Sequence, residues 1–247
     1  MKLEIIGQII AVFPAYKSNN IMKTNNFFNK NCLLGILCLP LVFTACSKDD
    51  NVGVGESSEI KITNAAETSG SQDFYLNDTK VNNSAITYNE STEGYISIKS
   101  GNDQVAEFRT AGSTTAYTST EIDLNANKNY SFFLYGEGAS SSIYTTEDDL
   151  STPSGGKAKI RFVHLSTAAN ESLDVNMGDT KLVAGLNFKS PSSFTEIDPG
   201  LHVFQLYNAG TTSDPINLNL AALGEGKIYT VLISGSSSVK ATLINNN

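Results

Sequence analysis

The sequence predicts an all-β chain built as two antiparallel β-sandwiches in tandem, and three observations carry that expectation. Apolar residues recur at every second position, as in Tyr130, Phe132 and Leu134, or Tyr229, Val231 and Ile233, which is the side-chain period of a strand. Glycine and Asx-rich breaks at Asn77-Asp78, Ser100-Gly101-Asn102, Asn125-Ala126-Asn127, Pro199-Gly200 and Gly224-Glu225-Gly226 bound short segments of sandwich spacing. The chain from residue 58 onward also repeats itself at an offset of about 100 residues, enough for each copy to close one core. Ile216, Leu218 and Leu220 against Asn217 and Asn219, and Phe204 and Leu206 against Gln205, read as strands with one polar face. No amphipathic helix of three turns is present in the pattern.

The repeat divides the body of the chain. Ile60-Lys61-Ile62-Thr63-Asn64 aligns with Ile160-Arg161-Phe162-Val163-His164, and Asp78-Thr79-Lys80-Val81 with Asp179-Thr180-Lys181-Leu182. Residues 105–112 align with 203–210, 127–136 with 226–235, and Ser141-Ser142-Ile143 with Ser237-Ser238-Val239. The expected organisation is a first sandwich at 58–146, a linker at 147–156 and a second sandwich at 157–247. About seven short strands in each copy give an Ig-like arrangement.

Composition narrows the function classes. The 247 residues carry a formal net charge of −8 and no basic tract, so the chain lacks the electrostatic footprint of a nucleic-acid binder. Cys32, Cys38 and Cys46 all precede the repeats, which excludes a disulfide framework or a cysteine-ligated metal in the body. His164 and His202 are the only histidines, and no nucleophile elbow, S-x-x-K, H-E-x-x-H or phosphate loop occurs. The expectation is a protein that is not an enzyme and takes no cofactor or metal.

The start of the chain predicts its destination. Met22 opens a segment with Lys23 and Lys30 as a positive head, followed by a 12-residue apolar run at 32–43 and the small residues Thr44-Ala45 before Cys46. The run is too short to span a bilayer and reads as a secretory signal peptide at 22–45, with 1–21 as an upstream extension of the reading frame. The block Leu41-Val42-Phe43-Thr44-Ala45-Cys46 resembles the lipobox of bacterial lipoproteins, departing from it at Phe43, where leucine is commoner. That resemblance implies lipidation of Cys46, a leader at 46–57, and anchoring without a spanning helix, because each buried methylene of an acyl chain contributes about 0.8 kcal/mol. The Ser47-Lys48-Asp49-Asp50 that follows is similar to the surface-export signal of Bacteroidota lipoproteins.

Residues 156–166, Leu173-Asp174-Val175-Asn176, Pro199-Gly200 and Gly226-Lys227-Ile228-Tyr229-Thr230-Val231 resemble the domain of unknown function 4397, common in Bacteroidota cell-envelope lipoproteins. The resemblance is drawn over 157–235, with 58–136 as a diverged copy that has Asn64-Ala65-Ala66 in place of His164-Leu165-Ser166. It implies fold and location and leaves the activity open.

The remaining chemistry-bearing residues have bland expectations. His202 follows a turn and reads as solvated, and asparagine stands opposite His164 in the other copy. The acidic run Glu147-Asp148-Asp149 reads as a solvated linker rather than a calcium loop. Asp73 and Asp174, at equivalent places, read as turn formers rather than a shared ligand. Tyr88, Tyr95, Tyr117, Tyr144 and Tyr207 are the residues that could form a stacking platform for sugars. The expected function is a surface interaction, adhesion or structural module of the envelope, lipid-anchored in the outer membrane and facing the cell exterior. The partner is then an envelope or extracellular protein. The alternative is an accessory glycan-binding component of an outer-membrane uptake system, and a hydrolase would have to assemble Asp148 or Asp149 with residues of the second copy.

Overall fold

The computed structural model describes residues 56–169 and 171–247, which fall in one compact unit. The segment expected to be a signal peptide, Cys46 and nearly all of the expected leader lie outside the described residues. The first copy contributes β1 (Ser57–Asn64), β2 (Gln72–Leu76), β3 (Thr79–Lys80), β4 (Ile96–Lys99), β5 (Gly101–Thr110), β6 (Thr118–Leu124), β7 (Asn129–Tyr135) and β8 (Ser142–Glu147). The second contributes β9 (Ala158–His164), β10 (Leu173–Met177), β11 (Thr180–Leu186), β12 (Ser190–Pro191), β13 (Thr195–Ile197), β14 (Val203–Asn208), β15 (Ile216–Asn219), β16 (Ile228–Ser234) and β17 (Lys240–Asn245). The chain is all-β, as its periodicity predicts.

Each copy is a sandwich of two sheets. In the first, β4-β1-β7-β8 faces β3-β2-β5-β6; in the second, β12-β9-β16-β17 faces β11-β10-β14-β15, with β13 also paired to β9. Ile60, Ile62, Phe74, Phe108, Phe132 and Leu134 join across the first core, and Ile160, Phe162, Val175, Phe204, Leu206 and Val231 across the second. Phe74 meets Phe108 and Phe132 edge-on at 5.1 and 5.2 Å, the geometry ring quadrupoles prefer. Tight connections follow from local chemistry: Asn77 and Asp78, both at positive φ (49° and 62°), turn β2 into β3, as expected of a two-residue hairpin.

Two features go beyond an antiparallel sandwich. The first strand of each copy runs parallel to the seventh or its equivalent, β1 with β7 and β9 with β16, while the other pairs are antiparallel. These four strands are also buried along nearly their whole length, in both alternating sets of side chains. The reason is that the two parallel-bearing sheets pack back to back. Ala65, Phe133 and Tyr135 of the first copy form a third apolar cluster with Val163, Leu165, Leu232 and Ile244 of the second. The period-two pattern therefore sorts side chains between two buried faces, one lining each sandwich core and one lining the seam between the copies.

Candidate functional site

The seam holds a connected arrangement of buried charged and polar side chains. Arg161 projects from β9 with 2% of its surface exposed, and Asp148, one residue past β8, is 4% exposed. Arg161 Nη2 donates to Asp148 Oδ1 as a buried ion pair. Ser131 and Tyr95 donate to Asp148 Oδ2 at 2.6 and 2.5 Å, and Asn246 Nδ2 donates to Tyr95 Oη at 2.9 Å. Thr230 donates to Asn246 Oδ1 at 2.9 Å and accepts from Arg161 Nε at 3.0 Å, which closes the ring. Three of its members come from each copy, Tyr95, Ser131 and Asp148 from the first and Arg161, Thr230 and Asn246 from the second. Two members are repeat equivalents, Ser131 with Thr230, and the pairing registers also equate Asp148 with Asn246. Burial, with the charge of Asp148 added, pushes the Tyr95 hydroxyl pKa up, so it stays a donor.

Basic residues cluster at the same place. Lys61, the equivalent of Arg161, is buried with its ammonium 5.6 Å from the Tyr95 ring centroid, and it donates to the Glu93 carbonyl at 3.3 Å. Desolvation pulls its pKa below the usual lysine value. Arg161 lies 4.7 Å from the centroid of Phe194, which occupies the place of Tyr95 in the second copy.

The acidic run meets these cations, which corrects its reading as a solvated linker. Glu147 pairs with Lys128 (2.6 Å), Asp148 with Arg161, and Asp149 with Lys159 (2.6 Å). The Lys159 hydrogen bond holds the Asp149 carboxyl well below the usual carboxylate range. Both aspartates do reach residues of the second copy, as expected of a composite site, but each spends its oxygens on a cation and on hydroxyl or amide donors. Among the described residues, no three His, Cys, Asp or Glu side chains converge in metal-binding geometry.

The other sequence candidates are dispersed. His164 is fully buried at the end of β9; its Nδ1 accepts from the Ser166 amide at 3.4 Å and its Nε2 faces the Glu171 carbonyl at 3.1 Å. That pattern selects the neutral Nε2–H tautomer, and burial lowers the pKa. Asn64 does the same work in the first copy, accepting from the Ala66 amide at 3.1 Å. His202 stays at the surface beside the Asp198 carbonyl, 2.7 Å away. Asp73 and Asp174 form neither a turn nor a shared site: each pairs across its hairpin with a lysine, Lys80 at 2.8 Å and Lys181 at 2.5 Å. The five tyrosines share no face, since Tyr95 and Tyr144 enter the seam, Tyr117 covers the first core, Tyr88 sits in the loop before β4, and Tyr207 stands on β14.

Comparison with known protein families gives one match. Residues 58–171 match DUF4397, a domain of unknown function. The DUF4397 match opens at the second residue of β1 and ends beyond β9, so it takes in the first sandwich, the acidic connection and the strand that carries Arg161. It supports the family read from the sequence, but its extent differs from the stretch at 157–235 on which that resemblance is drawn. No curated protein matches the chain.

Outside the seam, the two copies present clefts at repeat-equivalent places, where the chain passes from one sheet to the other. One of about 650 Å³ lies between residues 82–86 and 90–96, and one of about 460 Å³ between 182–187 and 190–195. The first is lined by amides, hydroxyls and the carboxylates of Glu90 and Glu93, and the second by hydroxyls and the apolar side chains of residues 182–186. The outer sheets, β3-β2-β5-β6 and β11-β10-β14-β15, each turn one face away from the core.

Sequence reasoning did not single out Lys61, Arg161 or Asn246, and it named Tyr95 only as a residue that could stack on sugars. The available signal was a basic residue at one position in both copies, each flanked by apolar neighbours, in Ile60-Lys61-Ile62 and Ile160-Arg161-Phe162.

Proposed function

We propose that this chain is a lipid-anchored, non-catalytic module of the bacterial outer membrane, held through Cys46 and exposed at the cell surface, where it acts by interaction or as structure. The observation that carries the reading is how the two copies are joined. The buried Arg161–Asp148 pair and its hydroxyl and amide partners are consumed in a closed ring that fixes one sandwich against the other, which leaves the outer sheets and their loops as the faces offered to a partner. The signal-like segment at 22–45 and the lipobox-like block ending at Cys46 support the anchor. Among the described residues no helix is long and apolar enough to cross a membrane, so membrane attachment in this reading rests on the acyl chains.

The test is protease accessibility on intact cells, comparing the wild type with Cys46→Ala, both expressed from Met22. Digestion of the wild type on whole cells and loss of membrane fractionation in the variant support the reading. Protection until the outer membrane is opened moves the protein to the periplasmic side and removes adhesion. Release of both proteins into the medium removes the anchor.

A further inference from the structure

The two outer sheets occupy equivalent places in the repeat but carry different chemistry. On the first copy, Arg109 stacks on Tyr75, its guanidinium carbon 4.1 Å from the ring centroid, and pairs with Glu107 and Asp78. Val105 and Glu121 extend that face. On the second copy the same register places Tyr207 for Arg109, Gln205 for Glu107, Val203 for Val105 and Asn219 for Glu121. Arg109, Glu107 and Glu121 are thus replaced by a phenol and two amides, while the Asp73–Lys80 pair recurs as Asp174–Lys181 and Asp78 as Asp179. Asn176 and Asn217 flank Gln205 on neighbouring strands.

This second face turns outward, and its charges are confined to the Asp174–Lys181 pair and to Asp179 at the adjoining hairpin. Phe204, Leu206 and Leu218 are buried in the core, so the alternating Val203, Gln205, Tyr207, Asn217 and Asn219 point away from it. Val203 is 56% exposed, and Leu201 just upstream is 74% exposed. Gln205 Nε2 donates to Asn217 Oδ1 at 3.1 Å and Tyr207 Oη donates to Gln205 Oε1 at 3.4 Å, a row of amides linked side by side. Asn176 Oδ1 is buried without a hydrogen-bond partner. The only cation on the face among the described residues, Lys181, is paired with Asp174.

We infer that the outer sheet of the second copy binds an uncharged polyhydroxyl chain, that is, a neutral glycan, across Tyr207, Gln205, Asn217 and Val203. This deepens the proposed interaction role and rests on it. Planar amides present a donor and an acceptor side by side, which suits vicinal hydroxyls, while the tyrosine ring and exposed valine suit the C–H faces of sugar rings. A face with no free cation, on a chain of net charge −8, is a poor match for an acidic glycan or a phosphate. The row from Val203 to Tyr207 is roughly 13 Å long and the three strands across it roughly 10 Å wide, the footprint of a short oligosaccharide.

The experiment is affinity electrophoresis of the detergent-solubilised full chain through gels containing starch, β-glucan, mannan, xylan or galactan, with polygalacturonate as the acidic comparison. Tyr207→Arg and Gln205→Glu install the residues the first copy tolerates at these places, so thermal melting is expected to be unchanged. The expected result is retardation by at least one neutral polysaccharide and not by polygalacturonate, weakened about tenfold or more in Kd by either variant. Ser119→Ala, on the outer sheet of the first copy, leaves it unchanged. Absence of retardation by every neutral polysaccharide, retardation by polygalacturonate alone, or retardation indifferent to the two variants overturns the inference. Surface anchoring is read separately by the protease experiment, so a chain that is anchored and exposed yet binds no glycan defeats the inference alone.

Discussion

Replacing Asp148 by Asn tests the account of the seam directly. The substitution keeps the shape of the side chain and removes the one anion that faces two buried cations, Arg161 and Lys61. Arg161 keeps Thr230 at 3.0 Å and the Glu147 carbonyl at 3.1 Å, but its charge is no longer compensated in a site that water does not reach. Removing one member of a buried ion pair costs about 3–5 kcal/mol, because the remaining charge stays desolvated. For a folded unit of this size each kcal/mol moves the midpoint by about 2–4 °C, so Asp148→Asn lowers Tm by roughly 6–20 °C. The assay is calorimetric melting at neutral pH of the wild type, Asp148→Asn, Arg161→Met and the double variant. The double variant falls short of the sum of the singles by about 2 kcal/mol, since the second substitution removes the charge that the first left stranded. Lys61→Met provides the contrast of sign: that lysine has no carboxylate partner of its own, so its replacement leaves Tm unchanged or raises it. A drop of less than about 3 °C for Asp148→Asn, or strictly additive singles, refutes the reasoning.

Other outcomes follow from the same geometry. Leu232 is fully buried on the face of β16 that meets the first copy, so Leu232→Ala costs about 2–5 kcal/mol by denaturant titration; a cost below 0.5 kcal/mol means the sandwiches do not pack on one another. Gly235 has φ +98°, and a Cβ there lies 2.1 Å from the Ser238 carbonyl oxygen, so Gly235→Ala destabilises by about 1–3 kcal/mol; an unchanged melting curve defeats this. His164 has a folded pKa below its ordinary value, so the unfolded chain takes up its proton first and stability declines as pH falls below 6.5; His164→Asn, which copies the first repeat, flattens that part of the pH–Tm curve. Glu67 accepts backbone and hydroxyl hydrogen bonds from Ser236 and Ser237 of the other copy, which hold its pKa at about 2. Its stabilisation is complete above pH 4.5 and lost toward pH 2, so Glu67→Gln reduces the acid sensitivity across that window; a variant as acid-sensitive as wild type contradicts the contact.

The strands, the turns and the duplication were open to reading along the chain because their causes are local. Period-two alternation in Tyr130-Ser131-Phe132-Phe133-Leu134, left-handed Asn77-Asp78 between two strands, and a copy of the pattern about 100 residues later need no knowledge of distant residues. Even Asn64 and His164 were placed correctly as equivalents, though the loop-tying hydrogen bonds they share were visible only in space. Asp148 was misread for a physical reason. In a run of acidic and turn-forming residues, nothing local separates a carboxylate that faces water from one that meets an arginine on a strand of the other copy.

What the sequence alone determined is therefore the content of each layer: all-β elements, their approximate order and the core-facing residues of each sandwich. What only the tertiary structure decided is which faces meet. The parallel pairing of β1 with β7 and β9 with β16, the burial of both faces of those strands, and the closed ring of Tyr95, Ser131, Asp148, Arg161, Thr230 and Asn246 all join residues far apart in the chain. A strand's alternation states only that its two faces differ. Whether the more polar face ends in water or against a second sandwich depends on the partner surface, and Lys61 and Arg161 have the same strand pattern in either case.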